Sequence, residues 1–102
     1  MDAVAFVVPG THPCLAGHFP DDPLVPGVVI VDHVIAALEA RHGPLGALQL
    51  PQVKFVQPLR PDEAAQIEIE SLPRDTGRRW RARVSRAGVL LASVEIVAGG
   101  AP

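Results

Sequence analysis

The sequence predicts an α+β domain in which one long helix packs with an antiparallel sheet. Three observations lead there. An apolar stretch of helical length lies between Pro26-Gly27 and Gly43-Pro44. From residue 48 onward, short segments of strand-forming residues alternate with turn signals. With 102 residues, 48% of them hydrophobic and 20% charged, the chain reads as one globular domain over residues 1–102, in which 99–102 form a loose tail.

Ala3 to Val8 is a short apolar run closed by Pro9-Gly10, the pattern of a strand ending in a turn. The stretch from Thr11 to Pro23 holds Pro13, Pro20 and Pro23, which fix φ along a loop that also carries His12, Cys14, His18, Asp21 and Asp22. A stiff loop is a good support for a reactive side chain.

Residues 28–31 are Val-Val-Ile-Val, which alone favours a strand. Their flanks decide for a helix over about 26–42. Pro26 suits a first helical position, Ala36 to Ala40 are good helix formers, and Arg41-His42-Gly43-Pro44 is a stop signal. Apolar on nearly all sides, this helix is expected to be buried. Val25 falls at the cap position and offers no capping oxygen, so the N–H groups of Gly27 and Val28 either meet an anion or a developing oxyanion or are satisfied by water or the loop.

Leu48 to Val56 alternates loosely and ends at Pro58-Leu59-Arg60-Pro61-Asp62. Residues 65–70 alternate cleanly, with Ile67 and Ile69 on one face and Glu68 and Glu70 on the other. A hairpin turn is expected over 73–77. The next strand places Arg79, Arg81 and Arg83 on one face, opposite Trp80, Ala82 and Val84. After Arg86-Ala87-Gly88 comes a last apolar strand, Val89 to Val97. Trp80 and Phe55 read as core residues.

Several function classes drop out. No apolar run reaches the length of a membrane span, and the N-terminal run of six residues, with no basic residue before it, is short for a signal peptide. A single cysteine, Cys14, forms no internal disulfide and suits a reducing cytoplasm. Nucleic acid is a poor partner at a pI near 6.0 with 4% aromatic residues. No tight cluster of ligand-type residues recurs, so no metal or other cofactor is expected. The net charge of −2 divides unevenly. All nine Lys and Arg residues lie beyond residue 40, and six of them, Arg74, Arg78, Arg79, Arg81, Arg83 and Arg86, gather around one predicted strand. His42 reads as a favourable charge near the helix end.

The titratable residues to question are His18 in the stiff loop and Asp32 in the apolar helix. Histidine is a base of near-neutral pKa, and a carboxyl group in an apolar setting holds its proton more readily than one in water. A base and an acid on separate elements suit the removal of one proton and the delivery of another.

The residues GHFPDDPLVPGVVIVD, 17–32, resemble the signature GHFP-x-x-P-x-x-PG followed by a Glu or Asp in the β-hydroxyacyl-[acyl-carrier-protein] dehydratases, the FabA/FabZ group. The chain looks nearest to its short ApeI-like branch in aryl polyene and related pigment pathways. The resemblance implies a hotdog fold, a long helix wrapped by an antiparallel sheet. It implies dehydration of a 3-hydroxyacyl thioester to the trans-2-enoyl thioester, with His18 as base, Asp32 as acid and the Gly27 N–H polarising the thioester carbonyl. Phe19, Leu24, Pro26, Val28 and His33 would contact substrate, the Leu24 carbonyl would orient His18, and the 18–19 peptide would be cis. The family has Gln where this chain has Ala36, and His33 would replace that Gln or be a spectator. The implied partners are an acyl carrier protein, docked on Arg79, Arg81 and Arg83, and a second subunit. That subunit is another copy or a different hotdog chain, and it brings His18 opposite Asp32. Other hotdog proteins suggest two alternatives, an acyl thioesterase and a non-catalytic partner of an active dehydratase subunit.

Overall fold

The computed structural model describes residues 3–11, 24–73 and 77–99. Its elements run β1 (Val4–Phe6), α1 (Gly27–His42), β2 (Leu48–Phe55), β3 (Ala65–Leu72), β4 (Arg78–Arg86) and β5 (Val89–Ala98). All strand pairs are antiparallel, in the order β1-β3-β4-β5-β2. One helix lies against one face of this sheet. This is the hotdog arrangement.

The sheet follows from alternation. In β3, Ala65, Ile67 and Ile69 are buried, and in β4 Trp80, Ala82 and Val84 are. Register sets Trp80 opposite Ile96, Ala82 opposite Val94 and Val84 opposite Ala92. Directly opposed residues share a face, so these six form one apolar surface. The helix covers it with Ile30, Val34 and Leu38, spaced four residues apart, all at most 3% exposed.

Only one face of the helix is covered, which corrects the expectation of general burial. Val28 is 66% exposed, and Asp32, Ala36 and Ala40 are exposed too. A helix on an open sheet buries the stripe that touches the strands, and the rest is left uncovered. A second correction concerns the aromatics. Trp80 is core, but Phe55 is 51% exposed. It sits on edge strand β2, opposite Ala92, and so faces the helix side of the sheet near its margin.

The helix ends differ slightly from expectation. Pro26 is the cap and not the first helical residue: its ψ of 144° is extended. At the other end Gly43 takes φ 80° and its N–H donates to the Glu39 carbonyl at 2.7 Å. A positive φ of this kind suits glycine. β1 is shorter than the apolar run suggested. The turn at 73–77 falls partly outside the described residues.

Candidate functional site at the N-terminus of the helix

Pro26 gives α1 no side-chain cap. Its carbonyl accepts from Val29 at 3.0 Å and Ile30 at 3.4 Å. Among the described residues no acceptor meets the N–H groups of Gly27 and Val28. The segment before the helix is anchored by the Val25 N–H donating to the Leu59 carbonyl at 2.8 Å, which fixes where these donors stand. Leu24 and Pro26 are half-buried beside them.

A pocket of about 360 Å³ opens at this end of the helix. Val25, Gly27 and Ile30 line it together with Phe55, Val56, Gln57, Pro58 and Leu59. No lining residue among these is charged. Phe55 lies directly against Gly27. A Cβ built on Gly27 would fall 2.5 Å from Phe55 Cζ and 2.8 Å from Cε2, closer than carbon atoms approach.

Asp32 stands on the uncovered helix face, with Val28 four residues before it and Ala36 four residues after. Neither can hydrogen-bond to a carboxylate. Among the described residues, Asp32 is exposed and has neither the apolar cover nor the orienting donor expected for this acid. His33 turns away to β1, where its ring stacks on Phe6 with centroids 4.5 Å apart and planes at 18°. His18, Phe19, Cys14 and the 18–19 peptide lie outside the described residues.

The outer face of the sheet carries the arginine row as expected. Arg79 and Arg81 donate to Glu95 at 2.6 and 2.9 Å, and Arg81 and Arg83 lie 3.7 and 3.8 Å from Glu70. The two guanidinium groups hold the Glu95 carboxyl below the usual carboxylate range, the hydrogen bond from Arg79 contributing most. Much of the row's charge is thus matched within the sheet. At the far end of the helix, His42 packs on Trp80 at 5.2 Å, and the Arg78 guanidinium lies 5.3 Å from the same ring.

Phe55 is the site residue the sequence reading missed. The signal was Pro51 within β2, since a proline inside a strand pattern marks an edge. An edge strand leaves its helix-side residues partly uncovered. Leu50, Val53, Phe55 and Val56 are between 37% and 51% exposed. No helix among the described residues is long and apolar enough to cross a membrane.

A model of the ApeI-like family, described as ApeI dehydratase, matches residues 2–94. The 3-hydroxyacyl-[acyl-carrier-protein] dehydratase FabZ of Ruminiclostridium cellulolyticum is 31% identical over 101 residues, covering 91% of this chain and 63% of that protein. The chain thus spans less than two thirds of the curated relative's length. Among solved structures, the dehydratase heterocomplex ApeI:P from Xenorhabdus doucetiae is similar with a TM-score of 0.74 at 22% identity, covering 96% of this chain and 86% of that one. A gentisyl-coenzyme A thioesterase is similar with a TM-score of 0.70 at 14% identity, covering 96% and 88%. At such identities the likeness is one of fold.

Proposed function

The chain belongs to the ApeI-like dehydratase family, and from that premise we propose that it dehydrates a 3-hydroxyacyl thioester carried on an acyl carrier protein. The observation that carries this reading is the start of α1, where the Gly27 and Val28 N–H groups have no acceptor among the described residues and stand beside a pocket whose described lining is uncharged, with Asp32 farther along on the open face. His18 takes the α-proton, and electron density moves onto the thioester oxygen, to which the Gly27 N–H donates a hydrogen bond. The α–β double bond then forms as the β-hydroxyl departs with a proton from Asp32. The products are the trans-2-enoyl thioester and water.

This reading needs a second subunit, and the protomer's surface supports one. Among the described residues the outer edge of β2 is unpaired and its apolar side chains are half exposed, a surface that pairs readily with another strand. A subunit against β2 and the open helix face would cover Asp32, and the reaction requires it to set its own His18 opposite that acid. The heterocomplex among the structural neighbours makes a non-identical hotdog subunit the second candidate beside another copy.

The test is incubation with a 3-hydroxyacyl carrier thioester followed by mass spectrometry of the carrier. Loss of water supports the proposal. Release of the free acid means a thioesterase. An unchanged carrier, with activity that appears when a second hotdog subunit is added and persists when this chain carries His18→Ala or Asp32→Asn, means a non-catalytic partner.

A further inference from the structure

One wall of the pocket beside Gly27 differs from the rest. Leu59 and Ile30 are buried, the Val25 backbone is tied to Leu59, and the Val56 N–H donates to the Leu91 carbonyl at 2.7 Å. These parts cannot move without breaking the sheet or the helix. Within a single protomer Phe55 is half exposed, and its ring tip touches a residue with no side chain. Turning this ring to another rotamer would cost a few weak contacts within the protomer and would open the pocket toward the Gly27 and Val28 N–H groups.

We propose that Phe55 sets which acyl tails the site accepts, its ring closing the pocket at Gly27 and limiting the size of an uncharged, apolar tail. Gly27 lines the pocket, and its N–H has no acceptor among the described residues. A thioester received at that N–H therefore has one of its two arms at the pocket mouth. The pantetheine arm is rich in amides that need partners, and Gln57 is the one side-chain amide in the lining. The lining fits the apolar acyl arm. A cavity of about 150 Å³ holds one benzene ring, so the pocket's 360 Å³ accepts a tail larger than a single ring. Gly27 has a second role here, since any larger residue would displace the Phe55 ring.

The inference takes its substrate from the dehydratase reading, but its test does not depend on catalysis. Stable thioether analogues of acyl-pantetheine, with saturated tails from butyl to dodecyl, are titrated by calorimetry into the assembled protein and into Phe55→Ala and Phe55→Trp. The ratio of long-tail to short-tail affinity rises at least ~10-fold in Phe55→Ala, about the worth of two buried methylenes, and falls in Phe55→Trp. Equal weakening for every tail gives Phe55 a structural role only and overturns the inference. Dependence on the pantetheine arm with none on the tail overturns it too. If tail preference shifts as expected while no hydroxyacyl thioester loses water, the inference stands and the dehydratase reading falls. If dehydration proceeds with tail preference unchanged, the reverse holds.

Discussion

The ring of Phe55 occupies the space a side chain on residue 27 would need, with its Cζ 2.5 Å from the position of a Cβ there. The clash is with the far end of a half-exposed side chain, so Gly27→Ala displaces the ring and leaves the fold intact. We expect Gly27→Ala to cost about 1 kcal/mol, at the low end for overpacking. In a Phe55→Ala background the same change becomes neutral or stabilising, because alanine is the better helix former. Urea denaturation of the four proteins measures the coupling; additive effects would mean that the two residues do not meet.

The edge strand gives a second prediction. Val53 faces the helix side opposite Val94 yet remains 37% exposed. Val53→Glu should leave the protomer folded, with stability changed by no more than ~0.5 kcal/mol, while shifting the protein to monomers and removing dehydratase activity. Light scattering with size exclusion reads the first effect. An active, fully assembled Val53→Glu protein would place the partner elsewhere.

The Glu95 carboxyl gives a pH dependence. Its folded-state pKa lies below the ordinary 4.5 because Arg79 and Arg81 stabilise the charged form. That stability is fully present above pH 4.5 and is lost as pH falls below it toward the depressed folded value. Stability curves of the native protein and Glu95→Gln should therefore be separated by a constant gap near neutrality and converge on acidification. A gap unchanged down to pH 3 would contradict the assignment.

Where the sequence was legible, each residue's neighbours in the chain determined its setting. The helix from 26 to 42 was readable because Pro26 and Gly43 bracket it, and the two faces of β3 and β4 because alternation is local. The open face of α1 was not readable. An apolar helix side chain looks the same whether its own sheet or another subunit covers it, and only tertiary placement separates Ile30 from Val28. The meeting of Gly27 and Phe55 joins residues 28 positions apart through a sheet order, β5 beside β2, that no local pattern encodes. Gly27 had the right signal for a close approach, but what approaches it within the chain is a ring.

The account rests on an imidazole and a carboxyl group meeting across two subunits. The most direct measurement uses His18→Ala and Asp32→Asn, assayed separately and after being mixed and refolded together. We predict each variant alone to dehydrate at least ~100-fold more slowly than the native protein, and the mixture to recover up to about a quarter of native activity, since half the dimers then hold one intact site of two. Native-level turnover by either variant alone would contradict the account, as would a mixture that forms mixed dimers and stays inactive.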